Sequence, residues 1–477
     1  MPWSGAENRK DCNNLPKLPN LAMRIDQLTL KNFRGIREGS FEFPRAPERR
    51  EGGNGSFNLL VGPNGAGKTS ILEGLAVAAS GLFLSMRGTD VRNIRHEDAH
   101  VLIKIIEGQA LVAPQYPVSV DAGGVVDGKP LHWARSLSEP TKGKITRTKD
   151  KEAQDMAEAS RMMGIRAIDG WDDSLPLISY YGADRLWNEP KDMQKRRKDD
   201  VKQRDPHEMA TAPKNEAELA WQQFSKRVGG YSNSVNGRCS PRDLQRWLGF
   251  EDYKAYKSKK ESIHAQIVKN AMRDCLPGVD DLAYEGGLNS LLFQRAGEWI
   301  DFRHLSEGQR NMAALVGDIA WKAAQLNPHL GERALKETTG VVFIDELDMH
   351  LHPEWQRMIV RKLQEIFPEL QFICATHSPQ IIGEVQSEEI LLLAEDGVSA
   401  PSQSYGMDSN WVVETLMGGS KCTPIVKKKL ELVFLHIKNK DLKAAEDEAL
   451  RLRGEVGNSD DIQRAVSMIE RIKLIGK

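Results

Sequence analysis

The sequence predicts an α/β fold built on a parallel β-sheet. Three apolar runs carry this prediction, because each has the length of a buried strand and each is followed by glycine or polar residues. The runs are Phe57–Val61, Gly340–Ile344 and Gln371–Ala375. The first leads into a segment with helical spacing, Thr69–Leu84, and the second is followed by another, His352–Ile366. Strands that alternate with helices are typical of parallel sheets, whose ligands bind at the carboxyl ends of the strands.

Composition excludes several classes of protein. The 477 residues include 66 Lys and Arg and 67 Asp and Glu, so the formal net charge is −1, which gives no support for nucleic-acid binding driven by overall charge. No run reaches the roughly 18 apolar residues that span a membrane. Residues 1–22 lack the apolar core of a signal peptide. The five cysteines are scattered without a CxxC pair, which is typical of a reducing compartment, and we expect the cytoplasm.

A glycine-rich segment joins the first run to its helix. Residues 62–69, GPNGAGKT, fit the P-loop pattern GxxxxGKS/T between a strand and a helix. In a P-loop, backbone N–H groups surround the β-phosphate of a nucleotide, the lysine reaches the β- and γ-phosphates and the hydroxyl binds Mg²⁺. We therefore expect ATP and Mg²⁺ as ligands, Thr69 as a metal ligand and Lys68 in catalysis. The predicted nucleotide-binding residues here are Gly62, Pro63, Asn64, Gly65, Ala66, Gly67, Lys68, Thr69 and Ser70.

Two carboxylates follow the second run. Asp345 and Glu346 come directly after the strand Gly340–Ile344, at the sheet edge where ligands bind. We expect Asp345 to hold Mg²⁺, directly or through water. Glu346 is the predicted catalytic residue that orients or polarises the attacking water.

A polar segment begins a further predicted helix, which ends near Lys322. Ser306 and Gln309 have the spacing of a capping box. A capped helix N-terminus that contains a glycine, here Gly308, also attracts phosphate. Helix capping and phosphate binding are compatible, and the predicted nucleotide-binding residues of this segment are Ser306, Gly308 and Gln309.

The order of these motifs resembles the soluble ABC-type ATPases related to RecF, SMC and the overcoming-lysogenisation-defect proteins. LSEGQ, residues 305–309, is similar to the LSGGQ signature of ABC ATPases, with Glu307 in place of the first glycine. An acid so close to a phosphate is expected to point away from it. The resemblance also implies that His377, in ATHSP after the third run, is a catalytic residue that contacts the γ-phosphate.

The block of residues 340–379 is more specific, because GVVFIDELDMHLHPEWQ and FPELQFICATHSPQ resemble the AAA-type ATPases of Septu and retron anti-phage systems, PtuA among them. The opening LTLKNFRGI and the later YGMDSNWVVETLMG support this resemblance. It covers residues 23–84 and 300–420, and it implies an ABC-type ATPase head.

The predicted organisation has five regions. In chain order they are an N-terminal tail (1–22, with Met23 as an alternative start), the first lobe of the head (23–84), a largely helical insertion (85–297), the second lobe of the head (298–401) and a helical C-terminal segment (402–477). Within the insertion, Asp121–Lys129 is predicted as a loop. Lys191–Arg204 has seven basic and three acidic residues, and is either a nucleic-acid contact or a solvated helix face.

Other residues keep two interpretations each. Asp348, His350 and His352 are either a metal site or part of a dimer interface. Arg185, after the apolar run Leu175–Ile178, either faces a ligand or forms a surface salt bridge. Arg34 in KNFRG either contacts phosphate or is structural.

The resemblance implies a split site, in which the P-loop, Asp345, Glu346 and His377 of one copy face the signature of a second. We therefore expect a homodimer or higher oligomer held by ATP. Three functions stay open: a defence ATPase that gates a partner nuclease of the HNH type, a RecF-like DNA-clamping ATPase, and an ATP-dependent scaffold with negligible turnover. A self-contained nuclease of the overcoming-lysogenisation-defect type is disfavoured, because that resemblance implies a DxD motif and none follows His377.

Overall fold

The computed structural model describes residues 23–44, 55–86, 89–106, 109–140, 148–168, 173–185, 216–237, 239, 241–288, 290–394, 397–420 and 422–475. The chain forms two units, Met1–Gly406 and Met407–Lys477. The predicted tail and the basic run Lys191–Arg204 lie outside the described residues.

The strands and the longer helices are numbered in chain order. The strands are β1 (Arg24–Phe33), β2 (Ile36–Glu42), β3 (Ser56–Val61), β4 (Val101–Ile106), β5 (Gln109–Pro114), β6 (Val118–Val126), β7 (Lys129–Leu137), β8 (Leu177–Tyr181), β9 (Asp281–Glu285), β10 (Ser290–Arg295), β11 (Glu298–Asp301), β12 (Gly340–Ile344), β13 (Leu370–Ala375), β14 (Ile390–Ala394) and β15 (Gly397–Ser399). The helices are α1 (Lys68–Ala79), α2 (Gln154–Ile168), α3 (Glu216–Val228), α4 (Pro241–Ser258), α5 (Ile263–Asp274), α6 (Glu307–Leu326), α7 (Pro353–Ile366), α8 (Pro424–Lys438), α9 (Leu442–Val456) and α10 (Asp460–Ile475).

The predicted parallel sheet is present in the first unit. Its strand order is β15-β14-β3-β13-β12-β8, and every pair is parallel except β14 with β15. Every residue of β3, β12 and β13 is buried, as expected for parallel strands that are covered on both faces. The α/β prediction and the three apolar runs that carried it are confirmed.

Helix α1 packs between two sheets. It contacts β13 and β8 of the parallel sheet on one side, and β1 and β6 of a four-stranded antiparallel sheet, β2-β1-β6-β7, on the other. Its buried residues therefore surround the helix instead of forming one stripe. Gly74 lies at the closest approach, where an added Cβ would be 2.7 Å from a methyl group of Leu30.

The segment from residue 85 to residue 297 contains more strand than the sequence predicts. It holds β4 to β10 as well as helices α2 to α5, so the expectation of a largely helical insertion needs correction. The prediction of a loop over Asp121–Lys129 is also wrong. Its residues up to Val126 belong to β6, and Lys129 is the first residue of β7. The glycines that suggested a loop pack against the neighbouring strand: a Cβ on Gly124 would lie 2.0 Å from the carbonyl oxygen of Arg24, where the register of β1 with β6 shifts.

The second unit is helical, as predicted. Helices α8, α9 and α10 pack around buried residues from all three: Val433, Ile437, Ala445, Ala449, Ala465 and Ile469. A second cluster contains Leu430, Leu452 and Ile462. Among the described helices of both units, none combines the length and apolar character needed to cross a membrane.

Candidate nucleotide-binding site

The segments predicted to carry the chemistry meet at one edge of the parallel sheet. Strand β13 lies between β3 and β12 and runs parallel to both, so the residues that follow these strands are adjacent. They line a cavity of about 350 Å³. The lining residues are Gly35, Asn64, Gly65, Gly67, Lys68, Thr69, Ser70, Asp345, Glu346, Ala375, Thr376 and His377.

The P-loop wraps the start of α1. Gly65 and Gly67 have φ values of 84° and 91°, a left-handed conformation that glycine adopts without strain. The Lys68 ammonium donates hydrogen bonds to the carbonyl oxygens of Gly62 (2.8 Å) and Pro63 (3.0 Å). Burial lowers the pKa of Lys68 from its usual value, and the nearby carboxylates of Asp345 and others oppose that shift. Two of the three N–H groups of the Lys68 ammonium thus bind the loop, and the third can donate to a phosphate oxygen.

Thr69 and Asp345 form the predicted metal-binding pair. The Thr69 hydroxyl donates to Asp345 Oδ2 at 2.7 Å, and Asp345 is 4% exposed. Burial raises the pKa of Asp345, although the Thr69 hydroxyl and the Glu346 N–H oppose the shift. A hydroxyl beside a carboxylate supplies the hard oxygen ligands that Mg²⁺ prefers. No atom lies within 4 Å of a Cβ built on Gly65, so the donor set and the open loop fit a nucleotide with Mg²⁺.

Glu346 follows Asp345 in a strained turn. Its φ is 46°, which is uncommon for a residue with a side chain. Its N–H donates to Asp345 Oδ1 at 3.2 Å, and its side chain is exposed at the cavity. The turn therefore holds the carboxylate at the cavity instead of in the protein interior.

His377 is positioned through Asp348. The backbone N–H of His377 donates to Asp348 Oδ1 at 3.2 Å, and the Thr376 hydroxyl donates to the same oxygen. The histidine side chain is half-buried and lines the cavity. Asp348 is a residue that sequence reasoning missed in this role, since its partner lies after a different strand.

Arg185 contradicts both interpretations made from the sequence. It is 2% exposed, which excludes a surface salt bridge, and it is not among the described residues that line the cavity. Its guanidinium donates to the carbonyl oxygens of Asp345 (2.7 Å), Glu346 (3.1 Å) and Gly182 (3.3 Å) and to Asn311 Oδ1 (3.0 Å). Burial lowers its pKa. Arg185 is therefore a buried clamp on the turn that carries the two carboxylates.

Asn311 was also missed. It is 2% exposed on α6 and, besides accepting from Arg185, its amide donates to the carbonyl oxygen of Met349 at 2.9 Å. A polar residue on the buried face of an apolar helix is the signal that could have found it. Asn311 joins the signature helix to the turn after Glu346.

The signature segment lies outside this cavity. Ser306 and Gln309 form the predicted capping box, with bonds of 3.3 Å and 3.0 Å between their side chains and backbone N–H groups. A Cβ on Gly308 would lie 2.4 Å from the carbonyl oxygen of His350. Glu307 Oε1 lies 3.4 Å from His350 Nε2. None of these residues is among the described residues that line the cavity.

His350 and His352, two residues of the possible metal site, contact different parts of the chain. His350 contacts the start of α6, and the His352 ring accepts from the Glu354 N–H at the start of α7. Within the described part of the chain, no cluster of side chains suited to a metal ion was found. Arg34 pairs with Asp98 at 3.0 Å and with Glu73 at 3.5 Å, which favours its structural interpretation.

Comparison with known proteins adds several relatives. The chain is 26% identical over 434 residues to the retron Vc95 probable ATPase of Vibrio cholerae serotype O1 biovar El Tor, covering 79% of this chain and 78% of that one. It is 33% identical over 186 residues to the retron Ec83 probable ATPase of Escherichia coli, covering 38% and 34%. It is 24% identical over 387 residues to the Septu protein PtuA of Bacillus mycoides (strain KBAB4), covering 81% and 42%. The chain thus matches less than half the length of the second and third of these relatives.

Two family profiles also match. Residues 168–383 match a family described as "AAA domain, putative AbiEii toxin, Type IV TA system", and residues 27–271 match a family described as "AAA domain". The resemblance inferred from the motifs is confirmed. Because the second of these matches extends over just over half of the 477 residues, the chain belongs to the AAA domain family.

Proposed function

We propose that this protein is an ATPase whose site is completed by a second copy of the chain, and that it regulates a partner nuclease of the HNH type in cytoplasmic anti-phage defence. The observation that carries the ATPase proposal is the meeting of the P-loop, Asp345, Glu346 and His377 around one cavity. The relatives named as retron ATPases and as PtuA support the defence role.

Each cavity residue has a role in this proposal. Lys68 binds the β- and γ-phosphates, and Glu346 orients the attacking water. His377 contacts the γ-phosphate through the side chain that Asp348 helps to position. Thr69 and Asp345 would hold Mg²⁺, which supplies positive charge to the phosphate oxygens.

The dimer part of the proposal rests on the signature helix. Ser306 and Gly308 lie at a capped helix N-terminus, where backbone N–H groups favour an anion. They lie outside the cavity of their own chain. In the proposal, these residues bind the γ-phosphate of an ATP molecule that lies in the cavity of a second copy. ATP then joins two chains, and its hydrolysis separates them.

The test measures mass and turnover together. Light scattering gives the mass of wild type and Glu346→Gln with and without ATP and Mg²⁺, and phosphate release is followed on the same samples. We expect Glu346→Gln to lose turnover and to form ATP-stabilised dimers or larger assemblies. Glu354→Gln, which changes an exposed glutamate at the start of α7, is the matched control and should behave as wild type. A mass that ATP leaves unchanged in Glu346→Gln would contradict the shared site, and undiminished turnover would contradict the role of Glu346.

The nuclease partner has its own test. Co-expression with an HNH nuclease encoded beside this chain should give a complex that survives purification, with nuclease activity that changes when Lys68 is replaced by alanine. An HNH nuclease that neither associates with this chain nor responds to Lys68→Ala would argue against the defence proposal and leave the ATPase proposal standing.

A further inference from the structure

A surface away from the nucleotide cavity exposes three aromatic rings. Helix α4 carries Phe250, Tyr253 and Tyr256, which are 56%, 62% and 85% exposed. Their three-residue spacing keeps them within about 120° of the helix circumference and about 4.5 Å apart along its axis. Aromatic residues make up 6% of the chain, and a group of exposed rings marks an interaction surface.

Basic side chains alternate with these rings. Viewed down the axis of a helix with 3.6 residues per turn, the direction of Lys257 falls between those of Phe250 and Tyr253. Lys254 Nζ lies 4.3 Å from the centroid of the Phe250 ring, a cation–π distance. Lys257 is exposed and has no carboxylate partner in the part of the chain that the structure describes. Two further exposed lysines follow the helix directly.

The acidic residues of the helix are engaged elsewhere. Glu251 is 9% exposed and accepts hydrogen bonds from Lys254 and Ser262, each at 2.6 Å. Asp252 accepts from the ammonium of Lys269 at 2.9 Å. Both carboxylates are thus ion-paired, Glu251 with Lys254 of the same helix and Asp252 with Lys269. Among the described residues, the positive charge left beside the rings is that of Lys257 and of the two lysines that follow the helix.

We propose that this aromatic–lysine stripe, formed by Phe250, Tyr253, Lys254, Tyr256 and Lys257, binds single-stranded nucleic acid. A single strand offers unpaired bases that stack on aromatic rings and a phosphate at each step for a lysine. A protein partner fits this surface less well, because lysines are depleted from the centres of protein interfaces.

The experiment measures oligonucleotide affinity of the full chain. Labelled single strands of 20 nucleotides, DNA and RNA, are titrated by fluorescence anisotropy at about 50 mM and about 200 mM salt, with the matching duplexes alongside. Wild type should bind the single strands more tightly than the duplexes. Tyr253→Ala and Tyr256→Ala should each weaken binding by about 5- to 150-fold, the range expected for loss of one stacked base. Tyr253→Phe and Tyr256→Phe should retain binding, because stacking needs the ring and not the hydroxyl.

Charge and specificity have separate controls. Lys257→Ala should lower the slope of log affinity against log salt by about 0.7, the value for one phosphate contact on a single strand. Trp299→Ala removes an aromatic that is 46% exposed on β11, and should leave binding unchanged. Thermal unfolding of each variant verifies that it is folded.

Three results would overturn the proposal. One is wild-type binding weaker than about 100 μM for every strand at the lower salt. Another is equal affinity of wild type and the tyrosine-to-alanine variants. The third is loss of self-association in these variants, measured by light scattering without oligonucleotide, which would assign the stripe to a second copy of the chain. None of these results depends on whether the protein hydrolyses ATP.

Discussion

Arg185→Lys tests whether the buried clamp positions the catalytic turn. The arginine donates four hydrogen bonds, to the carbonyl oxygens of Gly182, Asp345 and Glu346 and to the Asn311 amide. A lysine keeps the charge but presents its donors from one point, so it cannot replace the planar fork of the guanidinium.

The lysine ammonium has three N–H donors for four acceptors, so at least one acceptor loses its donor in the variant. Each buried polar group left without a partner costs about 1–3 kcal/mol, and we expect the free energy of unfolding to fall by at least that amount. Because Glu346 keeps its side chain but loses support for its turn, a displacement of about 1 Å should lower kcat by up to about 100-fold. The KM for ATP should change by less than about threefold, since the P-loop is untouched.

Arg227→Lys is the matched control. Arg227 is 9% exposed and also donates to two backbone carbonyls, those of Leu326 (2.8 Å) and Asp173 (2.6 Å), but it lies on α3 and does not line the cavity. This variant should lose stability and keep its kcat. Denaturant unfolding and steady-state phosphate release measure both quantities. An Arg185→Lys variant that loses stability but keeps kcat, or an Arg227→Lys variant that loses kcat to the same extent, would refute the positioning role.

Two further predictions concern close packing and buried charge. Gly308→Ala places a Cβ about 2.4 Å from the His350 carbonyl oxygen, so we expect denaturant unfolding to show a loss of about 1–3 kcal/mol; an unchanged midpoint would contradict this packing. Burial favours a higher pKa for Asp98, but the hydrogen bonds from Arg92 and the Arg95 N–H outweigh it and hold the pKa below the usual value. A carboxyl group whose pKa is lower in the folded state than in the unfolded state stabilises the protein at pH values above the unfolded-state pKa. This stabilisation is lost as the pH falls through the folded-state pKa. Asp98→Asn should therefore lower the free energy of unfolding by about 3–5 kcal/mol at pH 7, and by progressively less below about pH 4. A difference in unfolding free energy between wild type and variant that does not change with pH would show that the ion pairs contribute nothing.

The parts of the site that the sequence predicts are those that depend on local patterns. The P-loop, Asp345 and the segment around His377 each follow an apolar run, and parallel pairing of those runs is enough to bring them together. The role of Arg185 could not be predicted in this way. Its four acceptors come from three separate segments, and nothing near it in sequence indicates that it is buried.

The strands of the insertion show a second limit. In β6, adjacent glycines suggest a loop by composition. Gly124 is instead required by a close approach to Arg24, about 100 residues earlier in the chain. The aromatic rings of α4 show the converse, because helical spacing is visible in the sequence but the exposure of three rings is not.

The position of β3 has a consequence for how the chain is made. Its two neighbours in the sheet, β13 and β14, end at Ala375 and Ala394, more than 300 residues after β3 itself. At about 5–20 residues per second, a ribosome needs roughly 15 to 60 s to synthesise that length. Throughout this interval a strand whose residues are all buried in the folded chain has both edges unpaired, and unpaired strand edges favour aggregation. The sheet that supports the P-loop therefore cannot be completed until most of the chain has emerged, so the topology leaves the nascent first lobe with unpaired strand edges for most of synthesis.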